Sequence, residues 1–248
     1  MDPFTLPVLS DLLATAYAGV EAIAALFEPV ASGAGAALAI VALTLLVRLV
    51  LVPVGISQVK AEGTRRRLAP RLRALQQKYK NNPEVLQRKT MALYRAENAS
   101  PLAGVLPTLA QLPVISVIYT LFIRTTVDGH ANELLTETLL GVQLGASFFS
   151  SIAWPGVAVF VGLFAVIAAA SWISRMIALR LSVDAPTPAT RVLSWLPFLS
   201  VGFAAFVPLA AGLYLSTTIV WTLAERAVLR RLYWSSPHPG QPYPTGRL

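Results

Sequence analysis

Cysteine is absent from this 248-residue chain, and histidine occurs only as His130 and His238. Those absences exclude disulfides, thiol catalysis, cysteine lipidation and a His/Cys metal centre. Charge is scarce too. Asp, Glu, Lys and Arg make up 13% of the residues against 55% hydrophobic, and mean hydropathy is +0.63, outside the range of a soluble globular domain. The apolar runs hold neither a His beside a nucleophilic Ser nor paired acids, so an intramembrane protease is not expected and no catalytic residue is named. A phosphate-binding loop is also missing. The reading is therefore of a non-enzyme that needs no cofactor, metal or nucleotide. Since no basic n-region precedes a short apolar core and an Ala-x-Ala site, no cleavable signal peptide is expected.

What the chain does have is long apolar runs. Uncharged stretches cover residues 34–47, 99–123, 138–174 and 192–224, and a helix needs roughly 20 apolar residues to cross about 30 Å of hydrocarbon. Most of the mass thus belongs in a bilayer. Of the 20 Lys and Arg, 11 lie between Lys60 and Arg95; Arg175, Arg180 and Arg191 bracket the last two runs, and Arg226, Arg230 and Arg231 follow them. The positive-inside rule assigns these zones to the cytoplasm. Asp2, Asp11, Glu21, Glu28, Asp128, Glu133 and Glu137 fall on the opposite side. The N-terminus is expected outside and the C-terminus inside.

The 33 uncharged residues 192–224 are flanked by bases at both ends, so the chain must leave the cytoplasm and return within them. A turn near Val207-Pro208-Leu209 divides them into two short helices, which suggests a locally thinned bilayer. The expectation is an all-α polytopic protein with five spans, about 34–56, 103–124, 153–176, 192–207 and 209–230. Residues 1–33 carry Asp11, Glu21 and Glu28 and read as an extracytoplasmic interfacial helix. Residues 57–102 read as a cytoplasmic hairpin of two amphipathic helices, with Leu68, Leu72, Leu75 and Tyr79 on one stripe and Leu86, Leu93 and Tyr94 on the other. Asn82 suits an N-cap there, with Pro83 at the first helical position. This hairpin serves either as a surface for anionic lipid or as a docking element for a partner. Residues 232–248 are rich in proline and read as a disordered tail.

Arg48 lies inside the first apolar run, where a charge costs about 2.5–3.5 kcal/mol on insertion scales. Two readings remain open. In one, the side chain snorkels to the cytoplasmic interface or pairs with an acid, although the only acid within the spans is Glu225, at a distant edge. In the other it faces a hydrated cavity and awaits an anion. Thr44, Gln111, Thr120, Ser171, Ser174, Ser216, Thr217 and Thr218 could wall such a cavity, although Ser and Thr in membrane helices commonly mark close packing. Gln111 is harder to dismiss, because a mid-span amide facing lipid would be unsatisfied.

"LVRLVLVPVGISQVKA", "MALYRAENASPLAGVLPTLAQLPVISVIYTLF" and "LPFLSVGFAAFVPLAAGLYLSTT" resemble, in order and spacing, the YidC family of membrane protein insertases over about residues 34–231. The resemblance implies five spans around a polar groove open to cytoplasm and lipid. Arg48 matches its positive charge, Thr44 the position one turn earlier, Gln111 the second-span glutamine and Tyr214 the last-span aromatic. Thr120 and Thr218 join these as expected groove residues. Leu112 and Ile115 match the apolar slide along which a client helix passes. The implied activity is insertion of nascent membrane proteins into the lipid bilayer of a bacterial cytoplasmic membrane. The Sec translocon and the ribosome are further implied partners; no direct nucleic-acid function is expected.

The sequence also departs from the family. Ala210 stands where a glycine is usual, with Gly212 displaced, and Leu215 replaces a second aromatic. The cytoplasmic loop "SVDAPTPAT" is short, and the tail lacks the long basic extension that some members offer the ribosome. No large extracytoplasmic domain is expected before the first span. A small-solute carrier or channel with Arg48 as counter-ion is the rival class, disfavoured by the five-span count, the lack of internal repeats and the large basic hairpin. A chaperone that packs already inserted helices would share the same surfaces.

Overall fold

The computed structural model describes residues 7–27, 33–100, 102–103, 106–127, 130–151, 153–181 and 188–234. Helices dominate. They are α1 (Pro7–Phe27), α2 (Gly35–Val50), α3 (Val52–Lys78), α4 (Pro83–Ala96), α5 (Leu106–Leu121), α6 (Gly156–Arg180), α7 (Pro188–Leu193), α8 (Leu199–Ala204) and α9 (Leu209–Trp234). Two compact units divide the chain, Met1–Leu51 with Ala110–Leu223, and Val52–Leu109 with Ala224–Leu248.

The first unit holds the apolar core. Ile40 of α2, Leu121 of α5, Phe160 and Ile167 of α6, and Leu209 to Ala211 of α9 are buried in one cluster. Of the described helices, only α6 is by itself long and apolar enough to cross a membrane; α2 and α3 pass that test together, as a broken pair. The expected single span over 34–56 is thus interrupted at Leu51. Pro53 explains the break, because it has no N–H to donate back to Leu49 and its ring crowds that carbonyl. The expected helix over 192–207 is likewise divided into α7, a 3-10 turn at Leu196–Phe198 and α8. Pro197 sits in the turn and removes one donor from the helical ladder.

The turn before α9 lies at 205–208, and its neighbours satisfy the new helix start. Leu209 N donates to Ala146 O at 2.8 Å and Ala210 N to Leu144 O at 2.9 Å. Ala210 is fully buried there. Further along α9, a Cβ added at Gly212 would stand 2.7 Å from Leu163 Cδ2, so the displaced glycine marks a close approach of α6.

Between α5 and α6 the chain builds a small cap that hydropathy does not signal. Two antiparallel ladders pair Thr126 with Ala131 and Val127 with His130, then Thr138 with Gln143 and Leu139 with Val142. Leu140 and Gly141 both have positive φ, 51° and 81°, the backbone that a two-residue hairpin turn requires. Asn132 is buried and donates through Nδ2 to Leu121 O and Arg124 O, both at 2.9 Å, closing the end of α5. Helix α1 buries Leu13 and Val20 and leaves Asp11 and Glu21 exposed, a distribution that suits a helix with one wet face. Its Tyr17 reaches the Glu21 carboxylate and the Glu133 backbone; burial, followed by Glu21, pushes that phenol's pKa up.

The second unit contains the helical hairpin. Asn82 caps α4 by accepting from Val85 N at 3.2 Å, with Pro83 next to it. Leu68 and Tyr94, one from each stripe, are buried. Arg71 and Arg67 reach Glu97 at 2.6 and 3.4 Å, joining α3 to the end of α4. The end of α9 is fastened to α3 as well: Arg230 Nη2 meets both Glu62 oxygens at 3.0 and 3.1 Å, and Trp234 Nε1 donates to Val59 O at 3.2 Å. The glycines of α3 permit this approach, since Gly63 faces the Trp234 ring and Gly55 the Glu225 carboxylate. Helix α9 extends through Trp234, beyond the start of the expected tail, and 235–248 lie outside the described residues, as do 182–187 of the short loop.

Candidate functional site

Helix α2 is apolar on almost every side, which makes the surroundings of Arg48 decisive. The residue is half-buried, near the end of α2, with exposed Leu46, Leu49 and Val50 around it on the helix. One turn earlier Thr44, 1% exposed, donates to Ile40 O at 2.6 Å. That bond silences the hydroxyl's donor and leaves its lone pairs. Within this unit, and among the described residues, no carboxylate pairs with Arg48. Glu225, the only acid within the expected spans, packs against Gly55 in the second unit.

Helix α9 supplies the facing wall. Tyr214 is buried, lies in the field of the Arg48 guanidinium and faces Thr218 one turn on. Thr218 Oγ1 is buried and makes no well-aligned hydrogen bond to a described residue, although the Tyr214 hydroxyl faces it. A buried hydroxyl without a partner is costly in a dry core and ordinary beside water or a polar ligand. Phe122 braces Tyr214 from behind, with ring centroids 5.9 Å apart. Sequence reasoning missed Phe122, whose only signal is an apolar position at the end of α5.

Helix α5 brings Gln111, which is 8% exposed. Among the described residues its amide has no hydrogen-bond partner, yet its polar atoms are not sealed off from solvent. Its neighbour Leu112 is 53% exposed, as a side chain offered to lipid or to a passing apolar segment would be. Thr120 is half-buried. No hydrogen bond joins Gln111 or Thr120 to Arg48 among the described residues, and the side chain of Ile115 lies outside them. The other hydroxyls serve packing: Ser171 donates to Pro197 O, and Ser216 and Thr217 to Leu213 O of their own helix. The structure therefore gathers Arg48, Thr44, Tyr214 and Thr218 and removes Ser171, Ser216 and Thr217 from the polar wall.

The family model described as "60Kd inner membrane protein" matches residues 29–236. The chain belongs to this family, that of the YidC insertases. "Membrane protein insertase YidC" of Clostridium perfringens is 36% identical over 118 residues, 48% of this chain and 50% of that protein. Its namesake in Oceanobacillus iheyensis is 36% identical over 116 residues, 45% of this chain and 44% of that one. "Inner membrane protein ALBINO3, chloroplastic" of Arabidopsis thaliana is 27% identical over 219 residues, 81% of this chain and 47% of its own. The chain thus spans half or less of the length of these YidC relatives. Ala210 and the displaced Gly212 both fall on packing surfaces, Ala210 against the 144–146 loop and Gly212 against Leu163.

Proposed function

We propose that the chain is a membrane protein insertase of a bacterial cytoplasmic membrane, with five spans, the N-terminus out and the C-terminus in. One observation carries the reading. Arg48 is a permanent cation in an apolar helix, without a carboxylate partner among the described residues of its unit and beside the buried polar pair Tyr214 and Thr218. Its cost is offset if the hollow holds water between clients and an acidic segment during insertion.

The acidic tail of a nascent membrane protein is drawn to Arg48 from the cytoplasm. A polar segment crossing unaided meets about 30 Å of hydrocarbon and loses several kcal/mol per unsatisfied backbone group. A hydrated groove removes roughly the cytoplasmic half of that barrier, and the divided stretch before Pro208, where α8 is only six residues long, thins what remains. The client's apolar segment then slides past Leu112 and Ile115 into lipid, where burial at about 25 cal/mol per Å² drives the reaction. No nucleotide is consumed. A potential positive outside assists an acidic tail by about 2.3 kcal/mol per charge per 100 mV.

Insertion into proteoliposomes tests this. Arg48→Ala lowers insertion of acidic-tailed clients about tenfold or more, while Arg48→Lys keeps most of it, because a point charge suffices. Unchanged insertion by Arg48→Ala across several such clients contradicts the capture step. Anion flux through the same vesicles, abolished by Arg48→Ala, would instead favour a solute carrier.

A further inference from the structure

A second guanidinium in the first unit is held very differently. Arg175, a little over one turn before the end of α6, donates through Nε to Ser194 Oγ at 3.1 Å, and Ser194 Oγ in turn donates to Arg191 O at 2.6 Å. The guanidinium stands 4.4 Å from the ring centre of Trp195 and 5.6 Å from that of Trp172. Phe198 braces both indoles, at 5.1 and 6.5 Å. The plane of the charge is therefore fixed on two sides and its stem on a third. Among the described residues, no carboxylate pairs with Arg175 and no acceptor takes its two terminal amino groups.

The surroundings indicate what does. Trp172 and Trp195 are 48% and 50% exposed, and Ile173, Met176, Leu196 and Leu199 beside them are exposed and apolar. Half-exposed indoles above an apolar belt are the signature of a membrane–water boundary. A guanidinium held through Nε, with an Nη fork that bonds no described residue, can make two parallel bonds to a phosphate. Arg180 and Arg191, both exposed, add positive charge along the same cytoplasmic edge, and the cytoplasmic leaflet is the anionic one.

We propose that Arg175, clamped by Trp172 and Trp195, binds the phosphodiester of an anionic phospholipid in the cytoplasmic leaflet. This site lies apart from the Arg48 hollow and depends on the proposed function only for the membrane orientation of α6.

Native mass spectrometry of the full chain in detergent, titrated with phosphatidylglycerol or phosphatidylcholine, reads the site directly. The parent retains phosphatidylglycerol preferentially. Arg175→Gln weakens that retention about five- to tenfold and leaves phosphatidylcholine unchanged. Arg175→Lys, which keeps the charge and the fold but loses the fork and much of the stacking, weakens it about two- to threefold. Equal phosphatidylglycerol retention by parent and Arg175→Gln overturns the proposal, as does equal retention of the two lipids by the parent should the Gln variant fail to fold. Displacement by millimolar glycerophosphate would assign the site to soluble phosphates. Displacement by an acidic client peptide as effective as that by excess phosphatidylglycerol would assign it to protein. Either overturns the lipid assignment.

Discussion

Single side chains are where the account is most exposed to test. Arg48 is legible in the sequence because one charge interrupts an apolar run, and no other feature of that run competes for attention. Gln111 is legible for a related reason, as an amide that hydrocarbon cannot satisfy. The hydroxyls are not: whether Ser171, Ser216 or Thr217 faces a hollow or a backbone carbonyl depends on a rotamer, and all three bond a carbonyl. This distinction gives a prediction. Gln111 bonds no described residue, so Gln111→Leu removes no hydrogen bond among them and changes stability by less than about 1 kcal/mol. If the amide lines a wet path for clients, the same change lowers insertion of acidic-tailed clients about fivefold. Denaturant titration and vesicle insertion on one preparation separate the two effects; loss of stability with insertion intact would return Gln111 to a packing role.

Elements follow from the sequence where their rules are local. Asn82-Pro83 places the start of α4, and its cap bond is present. The α3–α4 stripes likewise put Leu68 and Tyr94 into contact with neighbours. Interruptions are harder to read. Pro53 and Pro197 lie within apolar runs, where hydropathy reports a span regardless of whether the backbone ladder is continuous. The cap between α5 and α6 is harder still, because a two-residue ladder has no periodicity and its turn uses Leu140, not the usual Asn or Asp, at positive φ. Asn132 holds this cap to α5 through two carbonyls. Asn132→Ala leaves both without that donor and costs about 2 kcal/mol, measurable as a lower unfolding midpoint in detergent; an unchanged midpoint would mean that water replaces the amide.

For the whole molecule, the distribution of charge says more than any one helix. Eleven of 20 bases fall in one 36-residue stretch, 60–95, and that asymmetry is the basis of the proposed orientation. Length and hydropathy alone single out α6, because α2 is short and parted from α3 at Leu51, α8 has six residues, and α9, although 26 residues long, carries Glu225, Arg226, Arg230 and Arg231 in its second half. The absence of cysteine makes orientation directly measurable. In intact cells, an impermeant maleimide is predicted to label Thr136→Cys, in the cap, and to reach Gln77→Cys, in the hairpin, only after the membrane is opened. The reverse pattern would invert the topology. The same background allows the most direct test of the central claim, that Arg48 presents a positive charge in a hollow open to water. Arg48→Cys should fail to insert an acidic-tailed client and regain insertion once a water-soluble methanethiosulfonate bearing an ethylammonium group couples to the thiol; the sulfonate-bearing reagent should couple without restoring it. A thiol that neither reagent reaches, or equal rescue by both, would contradict the account.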